Sequence, residues 1–176
     1  MKLLFFSLMT ILMMTDYPNY GQKITLEEVR KKYTQSVEDE KIASELLKEL
    51  EENHGGEPIL IGYRGATLAV MGKHAFRPDK KMSYLKSSQE VLSQAINMQP
   101  GNIELRFLRF AIQSNVPSFL GYNKNLPEDK ISIINNADNA TKYRVSGRYR
   151  NEIIDYVIAS GKCTDEEINR LKKLKN

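Results

Sequence analysis

The sequence predicts an all-α fold of about seven or eight helices. Apolar residues recur at spacings of three and four through most of the chain, which places them on one face of a helix. Capping residues, glycines and prolines separate these segments. No stretch alternates apolar and polar residues as a strand would, and even Ile131–Ile134 fits a helix better. The 176 residues, 41% of them hydrophobic, suffice for one domain with its own core.

Two helices are predicted first, although one long bent helix would also fit the pattern. Thr25 and Glu28 form a capping box, and Ser36 with Asp39 indicates a second start. The Gly-Gly pair after His54 ends the second helix, because glycine readily takes the left-handed conformation of a helix C-cap. The predicted ranges are Leu26–Gln35 and Val37–Glu52.

The middle of the chain carries the most apolar segments. Pro58 suits the first turn of a helix that is apolar nearly all round, which is typical of a central helix covered on several sides. Pro78 interrupts, and Asp79 is expected to cap the next helix. Arg106 and Arg109 lie within the otherwise apolar third helix. The predicted ranges are Pro58–His74, Asp79–Met98 and Ile103–Asn115.

Three weaker helices complete the prediction. The segment FLGYNKNLP precedes them as a loop, and Thr164 with Glu167 provides another capping box. Lysines close the last helix, where cations suit the negative end of the helix dipole. The predicted ranges are Glu128–Ala137, Gly147–Ser160 and Asp165–Leu174.

One helix pair resembles a known repeat. Ser88, Leu92, Ala95 and Pro100 follow the small, bulky, small, proline spacing of the second helix of a tetratricopeptide repeat. The first repeat helix would contain Gly65, with HAFRPDKKMS as an extended loop before the second helix. This resemblance covers residues 58–115 and implies antiparallel helix pairs in a right-handed array with a binding groove. An irregular α-helical bundle is the alternative architecture.

The first 22 residues differ from the rest of the chain. Lys2 precedes an unbroken apolar run, Leu3–Met14, which a polar, turn-prone segment follows up to Gly21. This layout is typical of a secretory signal peptide. We therefore expect export to the periplasm or the extracellular space, with a mature domain over residues 23–176 and no stable membrane anchor. An uncleaved anchor and a buried apolar segment are the alternatives.

Charge and composition provide little support for several functional classes. The net charge of +4 comes from basic residues interleaved with acids, whereas nucleic-acid binding favours a concentrated basic stripe. Two histidines, one cysteine and no metal-binding motif predict neither a metal centre nor a cofactor. No catalytic residue stands out. Cys163 cannot form an intrachain disulfide, and burial is the expected reason for its inertness.

The arginines are the candidate binding residues. Arg106 and Arg109 are three residues apart and share one helix face, and Arg64, with the adjacent Tyr63, lies on the helix expected beside them. Clustered guanidinium groups bind carboxylate or phosphate in bidentate fashion. The structural alternative is that the buried arginines pair internally, with Glu57, Glu90, Glu104 or helix-end carbonyls as partners.

The loop before residue 126 offers a second candidate. Tyr122 and Asn123 could form an adaptable binding edge, since loops frequently carry function. An ordered turn held in place by Phe119 explains the same residues equally well.

These features support two functional hypotheses. The first is an exported, non-catalytic helical adaptor or scaffold that binds a protein or peptide through a groove like that of the tetratricopeptide repeats. The second is a small exported enzyme or anionic-ligand-binding protein whose pocket contains Arg64, Arg106, Arg109 and Tyr122.

Overall fold

The computed structural model describes residues 24–53 and 55–175. These residues form eight α-helices and two short 3₁₀ helices, at Ser118–Leu120 and Ala137–Tyr143, and contain no strand. The prediction of an all-α fold is confirmed. The α-helices are α1 (Leu26–Ser36), α2 (Glu40–Asn53), α3 (Pro58–His74), α4 (Pro78–Met98), α5 (Ile103–Asn115), α6 (Leu126–Asn136), α7 (Gly147–Ala159) and α8 (Asp165–Lys173).

Local capping signals account for most helix ends. The capping boxes predicted at Thr25 and Thr164 are both present. The start predicted at Ser36 is wrong, because α1 continues through this residue and its hydroxyl donates to the Tyr33 carbonyl. Asp39, the residue before α2, caps this helix instead. Its carboxylate accepts two N–H groups of the first helical turn, at 2.9 and 3.2 Å.

The connection between α3 and α4 is shorter than predicted. Only residues 75–77 separate the two helices, so the extended loop expected over HAFRPDKKMS is wrong. Pro78 occupies the first turn of α4, where its missing N–H has no helical partner to lose. Asp79 does not cap the helix, because it lies inside the first turn and pairs with Arg77 at 2.9 Å.

Helices α3 and α4 nest closely, as the small-residue pattern predicts. Ser88, Leu92 and Ala95 are all buried, with at most 1% of each exposed. A Cβ atom added at Gly65 would lie 2.9 Å from Leu92 Cγ and 3.0 Å from its backbone nitrogen. Glycine therefore lets the two backbones approach. One such pair is not an array, so the resemblance to tetratricopeptide repeats remains a prediction.

Helix α5 separates two hydrophobic cores. Leu105 and Leu108 belong to the first core, which α1–α4 complete. Ile103 and Phe110 belong to the second core, to which α6, α7 and α8 contribute. Because α5 contributes to both cores, it is apolar on most of its circumference.

The C-terminal half differs in detail from its prediction. Helix α6 begins at Leu126, two residues before the predicted start, and continues into the 3₁₀ helix that ends at Tyr143. Arg144 follows with φ of 61°, which turns the chain towards α7. Cys163 is half-buried rather than fully buried, and burial raises the pKa of its thiol.

Some predictions concern other parts of the chain. The signal peptide predicted over residues 1–22 lies outside the described residues, as does His54 before the Gly-Gly pair. Within residues 24–53 and 55–175, no helix combines the length and apolar character needed to cross a membrane.

Candidate functional site

Arg106 and Arg109 converge on one buried carboxylate. Asp129 of α6 is fully buried and accepts a bidentate pair from Arg109, at 2.7 and 2.6 Å, together with the Nη1 of Arg106 at 3.0 Å. Arg106 also donates to the Pro100 carbonyl and to Glu128. We call these four side chains the arginine cluster. It holds α5 against α6 with both cations neutralised.

The structural alternative describes these two arginines, but with different partners. The predicted pairing with Glu57, Glu90 or Glu104 is wrong, because the acids come from the first turn of α6. The predicted helix-end carbonyl is confirmed, since Arg106 Nε donates at 2.9 Å to the carbonyl of Pro100, two residues beyond α4. Glu57 pairs instead with Arg144, at 2.9 Å. Since both arginines are at most 8% exposed and already paired, an anionic ligand would have to displace Asp129.

Tyr63 belongs to a separate polar cluster. Its hydroxyl donates to the fully buried Glu104 at 2.6 Å and lies 3.3 Å from the Tyr149 hydroxyl. Arg30 completes a bidentate pair with Glu104, at 2.8 and 2.6 Å, and lies over the Tyr149 ring. Burial, and then the charge of Glu104, raise the pKa of Tyr63. These groups satisfy one another and tie α1, α3, α5 and α7 together.

No observed contact joins Arg64 to either cluster among the described residues. The residue is partly exposed, while its Nε is buried and has no hydrogen-bond partner within the described part of the chain. One unpaired nitrogen on a partly exposed side chain does not make an anion site, so the predicted grouping of Arg64 with the other two arginines lacks a structural basis.

The loop after α5 is held by a residue that we did not predict. Phe119 is 85% exposed, so the expected turn held by this side chain is wrong. Gln113 of α5 holds the end of the loop instead, because it exchanges two hydrogen bonds with Asn125, at 3.2 and 3.1 Å. Tyr122 shares with Arg109 a cavity of about 20 Å³, roughly the space of one water molecule. Asn123 is partly buried, and its carbonyl accepts from the Leu126 N–H.

A concave site among the described residues is an apolar groove of about 1080 Å³. We call it the apolar groove and define it by the segments that line it: the ends of α1, α3 and α5, the start of α4, the first 3₁₀ helix and one turn of α7. Its apolar lining includes Val70, Met82, Leu85, Ala111 and Ile112. Its volume equals or exceeds that of ordinary small-molecule sites, which occupy about 300–1,000 Å³.

Charge is sparse and uneven in the apolar groove. Glu38 and Lys73 line it and pair with each other at 2.8 Å, which lowers the pKa of Glu38. Lys81, in the first turns of α4, also lines the groove, and its ammonium donates to the Lys73 carbonyl at 3.4 Å. Among the described residues, Lys81 has no ion-pair partner. The wall formed by residues 110–123 contains no charged residue.

Two phenylalanines next in sequence to segments that line the apolar groove face water. Phe76 is 96% exposed and lies two residues before Pro78, which lines the groove. Phe119 is 85% exposed and lies between Pro117 and Leu120, which also line it. Each ring leaves apolar surface in contact with water. Burial of one ring in an interface would contribute about 1.5–3 kcal/mol of favourable free energy. Exposed aromatic side chains beside an apolar depression are typical of an interaction surface.

Sequence reasoning missed this groove because its residues resemble core residues. Ala111 and Ile112 lie on a helix that is apolar nearly all round, and a sequence cannot show whether another helix covers that face. Phe76 and Phe119 offered a usable signal, since each is a large apolar residue in a short connection next to a proline-containing turn.

Neither metal-ligating side chains nor similarity to known proteins indicates another site among the described residues. Among residues 24–53 and 55–175, no group of three or more His, Cys, Asp or Glu side chains could hold a metal ion. Comparison with protein-family models, with curated proteins and with solved structures finds no match for this chain.

Proposed function

We propose that this protein is an exported, non-catalytic adaptor that binds a segment of a protein partner in the apolar groove. The observation that carries the proposal is the combination of the groove with Phe76 and Phe119 beside it. Aromatic side chains with few rotatable bonds are frequent energetic anchors of protein interfaces.

The extent of the apolar surface favours a peptide over a small apolar molecule. A small ligand would fill the groove and leave Phe76 and Phe119 in water, whereas a polypeptide segment can fill the groove and cover both rings. Such a helix-in-groove arrangement buries apolar residues at spacings of three and four. The partner segment is therefore expected to present a continuous apolar face.

The arginine cluster is not part of this proposal. Asp129 already occupies the donors of Arg106 and Arg109, so these residues fix the helices that shape the groove instead of contacting the partner. The same holds for Tyr63, whose hydroxyl donates to Glu104. Export rests on the signal-peptide pattern of residues 1–22.

Site-specific photo-crosslinking tests the proposal. A photoreactive amino acid replaces Met82 or Phe119 in the full chain, and the crosslinked partner segment is identified by mass spectrometry. Ile131 is the matched control, because it is an exposed apolar residue (51%) on α6 that does not line the groove. We expect the same partner segment at both groove positions and none at Ile131.

A synthetic copy of that segment must then bind the protein and compete with the crosslink. Crosslinks to lipid alone, or equal yields from Ile131 and the groove positions, would overturn the proposed function.

A further inference from the structure

Two segments that line the apolar groove differ in charge. Residues 77–86, at the start of α4, contain Arg77, Lys80, Lys81 and Lys86 but only one acid, Asp79. Residues 110–123 contain no charged residue. Of the four cations, Lys81 lines the groove itself, so a partner meets a cation on the α4 segment and none on residues 110–123.

Most of that basic character is available to a partner. Arg77 is neutralised by Asp79 at 2.9 Å, but the three lysines have no ion-pair partner among the described residues. All three lysines are exposed, and Lys81 itself lines the groove. Because its ammonium has only a long hydrogen bond to the Lys73 carbonyl, it can donate to a further acceptor.

We infer that the partner segment is an amphipathic helix with acidic residues along one flank, and that this flank faces the α4 lysines. This inference rests on the proposed function and adds the chemistry and orientation of the partner. Apolar residues at spacings of three and four would fill the groove, and a carboxylate would meet Lys81. In the reverse orientation the acidic flank would meet the uncharged residues 110–123 and lose this contact.

A display library tests both statements. It consists of helical peptides whose apolar face varies among Leu, Met, Phe and Ala, while each flank varies among Glu, Gln and Lys. Selection on the full-chain protein is expected to enrich peptides with Glu on one flank only. The enriched peptides are expected to bind about fivefold to tenfold more tightly than their Gln counterparts at low salt, and this advantage shrinks in high salt.

Charge reversal at the groove identifies the contact. In Lys81→Glu, the preference for Glu over Gln is expected to disappear or reverse. Lys48→Glu is the matched control, because Lys48 is an exposed lysine on α2, which contributes no residue to the groove lining. This control should leave the preference unchanged.

The outcomes separate the two proposals. Enriched peptides that bind in the groove without a charge preference would overturn this inference and leave the proposed function standing. If no enriched peptide depends on Phe119, and dodecanoate or anionic vesicles bind in the groove instead, both are overturned.

Discussion

The arginine cluster and the apolar groove show in opposite ways when an unusual group of residues marks a binding site. Arg106 and Arg109 are charged residues in an apolar helix, yet each is buried and paired with Asp129. The groove contains mostly ordinary apolar residues, yet it stays open, with Phe76 and Phe119 exposed beside it. Charge in an apolar setting marks a site only when its partners are missing, and apolar surface marks one when its cover is missing.

The largest expected effect lies in the arginine cluster. Asp129→Asn keeps the side-chain shape but removes the fully buried carboxylate that the two guanidinium groups share and leaves them the half-exposed Glu128, which is expected to cost about 3–5 kcal/mol of unfolding free energy. Glu128→Gln is the matched control, because Glu128 is 57% exposed, and it should cost no more than about 1 kcal/mol. Urea titrations measure both variants. Equal losses would show that burial does not separate the two acids.

The next largest effect compares the two ends of α3. Gly62 lies at the end that packs in the first core, and Gly72 lies at the end that lines the groove. A Cβ atom at Gly62 would overlap Leu105 Cδ2 inside the first core, so Gly62→Ala is expected to cost about 1–3 kcal/mol. Gly72 lines the groove, and its nearest neighbours would lie at 3.2 and 3.4 Å. For Gly72→Ala, the gain in helix propensity offsets this mild crowding, so a change below about 1 kcal/mol is expected.

Thermal or urea unfolding of the two glycine variants decides the point. If Gly72→Ala costs as much as Gly62→Ala, the groove end of α3 is packed as tightly as the core, and the contrast between the two ends is lost.

The groove is expected to affect binding without affecting stability. Phe119→Ser should lower the affinity for the crosslinked partner segment about tenfold or more, because the exposed ring gains its contacts only in the complex. The free energy of unfolding should change by less than about 0.5 kcal/mol. Ile131→Ser is the control, since it removes another exposed apolar side chain that does not line the groove. Fluorescence anisotropy with the labelled segment measures the affinity.

A loss of stability in Phe119→Ser with unchanged affinity would reverse this assignment. Phe119 would then be part of the fold, as the sequence hypothesis of an ordered turn assumes.

The helices were predictable from local sequence patterns, whereas the pairing of side chains far apart in the sequence was not. Thr25, Thr164 and Pro58 define helix starts through contacts within one turn, which a sequence displays directly. Arg106 and Asp129 are 23 residues apart, and their contact depends on how α5 crosses α6. The sequence therefore indicated that the arginines needed carboxylates but not which ones.

The groove was harder to predict for a related reason. Helix periodicity identifies which residues avoid water, but a face that awaits a partner has the same pattern as one covered within the chain. Only the arrangement of α1, α3, α4 and α5 shows that Ile112 and Met82 line an open depression.

The smallest expected effect tests the electrostatics of the arginine cluster through pH. The hydrogen bond from Arg106 lowers the pKa of Glu128 below its ordinary value of 4.5. A carboxyl whose folded pKa is depressed contributes stability above its unfolded pKa, and that contribution is lost as the pH falls through the folded value. Because Glu128 is 57% exposed, solvent screening keeps the contribution to less than about 1 kcal/mol.

Urea unfolding of the protein and of Glu128→Gln at several pH values measures this contribution. The difference in unfolding free energy between the two proteins should be present at pH 7 and should shrink below pH 4.5, where the native carboxyl takes up its proton. A difference that stays constant down to pH 2 would mean that the Arg106–Glu128 contact acts through shape alone. The neutralisation of Arg106 would then depend on Asp129, and the contrast with Lys81 of the groove, which has no ion-pair partner among the described residues, would rest on that one buried acid.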